Sequence, residues 1–521
     1  MKVHFLVIML IACAYCSAQK DTREYYMMNQ GDSRELPVGV SYVSSDEKVA
    51  SVKGNKIKAL SNGDCVIYAT VNGERSEVAQ ITVGWPVQNP VLPYSWNMFL
   101  TDPEPHCVNG EVLTYTGWDA LEGLYCSNKY MLARSRDMKR WDVRQILSST
   151  EDVMPYHDRV LWDCDGGVYN GKYYVYGFHE PDWNITPETP NGSINHAMFV
   201  LESDKPDGQY RNFHWLRGDK SGEKIDGISA QILNDDDGSR IIVYSSYIGS
   251  VCYYNAIFIA RLKDDSTIIE STMKPLLPYL KFYCEGPSLR KRGDTYYLFY
   301  AANADGEVTS PDNWKPNHID YATAKDPFGE WTYRGTIISI QELAGNLCIQ
   351  GTAEPIDNQW YLYYHRVLNG VWNKRALCIE KMFFDDNGLI KPMVPTSSGV
   401  SEGFDPSETI PLNTAVSGKG YDYSPEGKYG CLKVASEAEI GIRYVKFTGK
   451  EKKLTLTGAG LEKIVSLKAL ADGEIIGESK GGSGDLVLSK VPKAPKGKAA
   501  ELTIVVKTSA EVKLETVKFS R

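Results

Sequence analysis

The chain has 521 residues, too many for a single core, and its length implies about two to four domains. Apolar residues at 42% and charged residues at 24% are the proportions of a soluble globular protein, not of a disordered or membrane-embedded one. The net charge of −9, with no basic stripe, excludes nucleic acid as a partner.

In chain order, the first feature is an export signal over residues 1–18. Lys2 supplies the charge, Phe5–Ala12 the apolar run, and Cys16-Ser17-Ala18 a small-x-small cleavage site before Gln19. A secreted or periplasmic protein is expected. Leu10-Ile11-Ala12-Cys13 also resembles a bacterial lipobox, which gives the alternative of a lipid anchor on Cys13 at the cell surface. No segment is long and apolar enough for a transmembrane helix. The eleven cysteines are scattered, with no paired spacing beyond the signal region, so neither a disulfide framework nor a zinc site is predicted.

Residues 30–84 alternate apolar and polar positions between Gly, Asn and Asp turns, as short strands do. The run SSDEKVASVKGNKIKALSNGDCVIYATV resembles the bacterial immunoglobulin-like group 2 domain. The resemblance implies a spacer or adhesive module.

Between residues 90 and 400 one pattern comes round five times. Gly110–Tyr115, Gly171–Tyr176, Gly238–Tyr244, Gly293–Tyr300 and Asn358–Tyr364 are each a turn followed by a strand of tyrosines and aliphatics. A strand-based period of this length reads as propeller blades. Each repeat carries a second hairpin, so four strands per blade are expected. After residue 405 tryptophan disappears and short alternating strands continue to 521, which predicts a β-sandwich. Their order resembles a family 6-type carbohydrate-binding module. With only Tyr421, Tyr423, Tyr429, Tyr444 and two phenylalanines available, a structural cap is as good a reading as sugar binding. The predicted fold is all-β: a five-bladed β-propeller flanked by an Ig-like domain and a β-sandwich, acting as a monomer.

Three acidic residues come just before the tyrosine-rich strands, which are read as the first strands of their blades: Asp102 in Thr101-Asp102-Pro103, Asp165 in Trp162-Asp163-Cys164-Asp165-Gly166, and Glu285 in Cys284-Glu285-Gly286-Pro287. A propeller aims such groups at one central cavity. Inverting glycoside hydrolysis needs a protonated acid and a carboxylate base on opposite sides of the sugar. Singly, an Asp before Pro or Gly is more often a turn former. Three acids at equivalent blade positions favour catalysis.

Residues 90–400 resemble glycoside hydrolase family 43. The residues that carry the likeness are Thr101-Asp102-Pro103, WDCDGGVYNGKYYVYG and EGPSLRKRGDTYYLFYA. The resemblance implies Asp102 as general base, Glu285 as general acid, and Asp165 as the carboxyl that orients and holds up the acid's pKa. Asp165 is chosen over Asp163 because its spacing to Gly171 matches the family. The resemblance also implies Arg366, after His365, as a ligand for a substrate hydroxyl. Trp118 replaces a common histidine and has two readings, a stacking wall for the sugar or a packing residue. Gln350 stands where many members have a histidine at a central cation or water. An amide is a weaker metal ligand than imidazole, so no cofactor is expected, a structural calcium being the alternative. The implied activity is release of terminal sugars from polysaccharide, α-L-arabinofuranose first, with β-xylosides, β-D-galactofuranosides and β-1,3-galactans as alternatives. The rival of another class is a glycan-binding protein whose propeller has lost activity.

Overall fold

The computed structural model describes residues 23–521 except 72, 120–126, 128, 149–160, 180–196, 247–255, 277–282, 304–315, 341–342, 344–347, 369–370, 482 and 494–498. The export signal and Cys13 lie outside the described residues. Nearly all regular structure is β, and no described helix is long and apolar enough to cross a membrane.

The repeats become five antiparallel sheets in sequence order. Their first strands are Leu100–Val108, Leu161–Tyr169, Ile228–Asn234, Tyr283–Arg292 and Gly351–Ile356. Each first strand touches the next, and Gly351–Ile356 returns to Leu100–Val108, which closes a five-bladed propeller around them. The tyrosine-rich segments form the second strands, whose alternate residues fill the spaces between blades. Tyr115 with Val175 and Phe199, and Tyr300 with Val243 and Ile257, belong to two such cores. The gap between the fifth and first blades is sealed by Trp96, Trp141 and Tyr363, all buried. Trp96 is a packing residue, and its Nε1 donates to Thr82 Oγ1 at 2.9 Å.

Four blades have the expected four strands, and the fifth has three. The segment after Met382 does not form a fourth strand. Phe384 bridges to Ile390 across a tight turn in which the Asp385 carboxylate accepts from the Asn387 and Leu389 amides at 2.9 and 2.8 Å. The chain then leaves the blade toward the sandwich.

The N-terminal β unit is fused to the propeller. Strand Glu24–Met28 pairs parallel with Glu74–Val83 and antiparallel with Asp142–Ser148, so one eight-stranded sheet runs into the first blade. This strand precedes the expected start at residue 30. Both its faces are buried, Tyr25 and Met27 toward the propeller core and Tyr26 and Met28 toward the N-terminal core.

Residues 405–521 make two facing sheets over one apolar core. Their aromatics turn inward to the rest of the molecule. Tyr429 stacks on Trp85 at 5.5 Å between ring centres, and Tyr423 meets Tyr94 at 5.0 Å. Tyr421 and Tyr423 are buried. Tyr423 and Tyr429 are thus engaged in holding the sandwich to the propeller, while Phe447 and Phe519 lie in the sandwich's own core and Tyr444 is partly exposed.

Candidate active site

The chemistry sits where the inner strands bulge. In four blades the pairing of the inner strand with its neighbour slips at the same place. The slips fall between Thr101 and Glu104, Trp162 and Asp165, Ile228 and Gln231, and Glu285 and Ser288. At each slip one residue is left-handed: Asp102 (φ 49°), Asp163 (29°), Ser229 (53°) and Gly286 (60°). A bulge re-aims a side chain out of the strand's alternation, and strained backbone of this kind collects at functional sites. The fourth position must be glycine. A Cβ on Gly286 would lie 2.4 Å from the side-chain carbonyl carbon of Gln350.

The bulges sort the polar residues into two layers. Asp102, Asp163, Ser229, Gly286 and Gln350 bound one small cavity. Glu104 and Gln231 reach the same cavity, whereas Asp165 and Ser288, on the same inner strands, do not line it. Asp165 is fully buried, 2.5 Å from His106 Nε2, and accepts the Ile232 amide at 2.7 Å. Asp163 instead hydrogen-bonds Asp102 and accepts from Ser229 Oγ, and its charge would feel both Asp102 and Glu285. The acid that geometry brings to the pair Asp102 and Glu285 is therefore Asp163. Asp165, favoured by its spacing to Gly171, belongs to the layer below. The register slips, and not the spacing, decide which carboxyl reaches the cavity.

Asp102 is held as an anion. Burial pushes its pKa up, but Arg375 and His365 outweigh burial and hold it well below the usual carboxylate range. Arg375 Nη1 donates to both Asp102 oxygens at 3.2 Å. Its Nε and Nη2 grip Asp119, each at 3.0 Å, in a two-pronged pair that fixes the guanidinium plane. His365 Nδ1 lies 3.1 Å from the Asp102 carboxylate. Glu285 has the opposite environment. Burial, reinforced by the Asp102 charge and opposed by Arg375, pushes it up to about 8. Asp163 is raised well above its ordinary value by burial and then by Asp102 and Glu285. One ionised and two protonated carboxyls thus share a site in which Asp102 is buried and Asp163 and Glu285 are partly exposed, the division of labour that acid–base catalysis requires.

The other sequence candidates fall as follows. Gln350 lines the cavity against Gly286. Trp118 is partly exposed at the end of the first blade's second strand, its Nε1 donating to the Asn97 carbonyl at 3.3 Å, next to buried Asp119. Arg366 is not at the cavity. It is buried and donates to the carbonyls of Ala415 and Asn413 at 2.9 and 3.3 Å, tying the propeller to the sandwich. Neighbouring strand residues face opposite ways, so with His365 turned to Asp102, Arg366 must turn away. Sequence reasoning missed His365, Arg375 and Asp119 as parts of the site. Alternation would have favoured His365, but no sequence signal pairs Arg375 with Asp119, 256 residues apart.

A central cation does not fit the donors. The channel carboxylates Glu104 and Glu354 both pair with Arg290, at 3.2 and 3.0 Å. Among the described residues no group of three His, Cys, Asp or Glu side chains is placed to hold a metal.

The opposed shifts give a pH prediction. Acid–base catalysis by this pair would need Glu285 protonated and Asp102 ionised. A raised acid keeps its proton as pH rises, until its own value is passed. Activity on an unactivated oligosaccharide is expected to persist through neutrality and fall as pH rises through about 8, the Glu285 value. The acid-side fall should lie below the ordinary carboxylate range, because Asp102 is lowered. The observed values belong to the cluster of three. A kcat/KM profile measures both limbs; an alkaline fall near pH 5 would contradict the environment described for Glu285.

The model of the family "Glycosyl hydrolases family 43" matches residues 87–390. A Thermoclostridium stercorarium xylosidase/arabinosidase is 27% identical over 351 residues, 60% of this chain and 68% of that protein. The beta-D-galactofuranosidase xynD of Aspergillus niger is 26% identical over 347 residues, 63% of this chain and 91% of that protein. Among solved structures, a β-xylosidase/α-arabinofuranosidase from a compost metagenome is similar with a TM-score of 0.47 at 19% identity, covering 60% of this chain and 99% of that one.

Proposed function

Because the chain belongs to glycosyl hydrolases family 43 and is an inverting glycoside hydrolase, we propose that it is an exported enzyme removing terminal sugars from polysaccharide side chains, α-L-arabinofuranose first. The observation that carries the reading is the carboxyl cluster in which Asp102 is held ionised and Glu285 protonated. Glu285 gives its proton to the glycosidic oxygen as the bond to the anomeric carbon breaks. Asp102 takes a proton from a water attacking that carbon from the opposite face. Asp163 hydrogen-bonds the Asp102 carboxylate and positions it. Asp119 holds Arg375, which keeps Asp102 charged and aimed. Gln350 offers an amide to a substrate hydroxyl, and Trp118 a ring to one wall. The N-terminal unit serves as a rigid spacer and the sandwich as a brace, in a protein that works as a monomer.

The sugar preference draws on the relatives. Proteins from Thermoclostridium stercorarium and Bacteroides ovatus are described as xylosidase/arabinosidase, and one from Bacillus subtilis as an arabinoxylan arabinofuranohydrolase. β-Xylosides and β-D-galactofuranosides are the next candidates. The test is a panel of aryl α-L-arabinofuranoside, β-D-xylopyranoside and β-D-galactofuranoside. Turnover of the arabinofuranoside with the highest kcat/KM is expected. No turnover of any, with glycan binding retained, would favour a binding protein instead.

With Arg290 already paired to the channel carboxylates, the enzyme is expected to work without a metal. Activity after EDTA treatment and desalting should stay within about twofold of the untreated enzyme, a difference worth less than RT. A large loss restored by Ca²⁺ would show that a cation displaces the arginine.

A further inference from the structure

At the end of the propeller opposite the carboxyl cluster, the fourth and fifth blades border an open cavity of about 1490 Å³. Its walls are the turns that leave the inner strands, Arg292–Thr295 and Asp357–Gln359, with the hairpin Phe383–Leu389. Glu285 and Arg292 are seven positions apart on one strand, so the cavity is on the order of 20 Å from the catalytic carboxyls at about 3.3 Å per residue. It is a separate place, not an extension of the catalytic pocket.

The lining has a definite chemistry. Trp360 is partly exposed and meets Phe384 edge-on, at 5.7 Å and 80° between rings. Its Nε1 donates to no group among the described residues. Phe383 lies on the rim with 54% of its surface exposed, a high value for so large an apolar side chain. Arg292 lies over Phe384 at 4.2 Å from the ring centre. Asp357 and Asn358 are both left-handed, at φ 49° and 66°, a tight turn that leaves both polar side chains exposed.

Three classes of ligand can be compared against this lining. A polyanion is disfavoured, because the six acids of the lining outnumber its four bases. A dry protein interface is disfavoured, because the centre of such an interface is depleted of charge, whereas here acids and bases are interspersed with the aromatic rings. A drug-sized metabolite would be lost in the space, since small-molecule pockets hold about 300–1,000 Å³. A neutral saccharide chain fits. Its sugar rings offer C–H faces to aromatic rings, and its hydroxyls pair with planar carboxylate, amide and guanidinium groups.

We propose that this cavity is a second glycan-binding site, in which Trp360 and Phe383 form the stacking platform and Arg292, Asp357 and Asn358 take hydroxyls. It would hold the polymer while the opposite face works on side chains. The proposal rests on the reading of the protein as a polysaccharide-active enzyme.

The test is retardation of the full-length protein in native gels containing soluble arabinoxylan, with galactan and a sugar-free gel as controls. The catalytically impaired Asp102→Asn variant is used throughout, so that binding is read without turnover. Retardation is expected, and Trp360→Ala should weaken it about tenfold, the effect of roughly 1.4 kcal/mol. In the otherwise native enzyme Trp360→Ala should leave hydrolysis of an aryl glycoside unchanged. If Trp360→Ala lowers the thermal midpoint, the exposed Phe383→Ala decides in its place. Equal retardation of both variants and their parent overturns the proposal. So does absence of retardation in every gel, and a sedimentation dimer that Phe383→Ala disperses would then identify the cavity as a protein interface. Failure of the proposed function is read separately: retardation lost in Trp360→Ala, without turnover of any aryl glycoside by the native enzyme, keeps this site and sinks the catalytic reading.

Discussion

Glu285→Gln is expected to lower kcat/KM on a natural oligosaccharide by about 10²–10⁴-fold, the usual worth of a general acid. The same variant should retain most of its activity on aryl glycosides whose leaving groups have low pKa. The reason lies in what Glu285 supplies. An alkoxide leaving from a natural substrate needs a proton as the bond breaks, and Glu285 keeps one at neutral pH because burial and the Asp102 charge push its pKa up to about 8. A nitrophenolate needs no such help. Parallel kinetics on the two substrate types separate the cases. Equal losses on both would show that Glu285 is not the acid.

Asp102→Asn should behave differently. The base acts on water and is needed whatever leaves, so the loss of about 10²–10⁴-fold should appear on activated and natural substrates alike. A further consequence follows from Arg375. In the native enzyme its guanidinium lies between two anions, donating to Asp102 at 3.2 Å and to Asp119 at 3.0 Å. Without the Asp102 charge, one of the groups that raise Glu285 is gone. The residual activity should therefore lose its alkaline limb at a lower pH than the native enzyme. A variant with undiminished activity on aryl glycosides would remove Asp102 from the reaction.

The propeller was legible because its repeats are written in strand chemistry. Tyrosine and aliphatic residues alternate after glycine turns, and Tyr115, Tyr176, Tyr244, Tyr300 and Tyr364 are all buried between blades. The three-stranded fifth blade was not legible, since the hairpin near Asp385 satisfies the same turn signals as a strand connection. The acids were expected just before the first strand of each blade, and they lie within the inner strands, beside the bulges. A bulge depends on pairing with a neighbouring strand, so a residue count such as that from Asp165 to Gly171 could not reveal that Asp163 turns into the cavity. The exchange of Arg366 for His365 has a simpler cause, because one step along a strand reverses the face. Arg375 was read only as part of an outer hairpin, and nothing local marks it as a partner of Asp102, 273 residues away.

The most direct measurement of the central claim is the anomeric configuration of the first sugar released. Asp102 and Glu285 stand on the inner strands of the first and fourth blades, which are not neighbours in the ring, so the base and the acid approach the sugar from different sides. Attack by water from one side and protonation from the other inverts the anomeric centre. NMR of the product in the first minutes, before mutarotation, should show the configuration opposite to that of the substrate. Retention of configuration, or a sugar trapped as an ester on Asp102, would contradict the account.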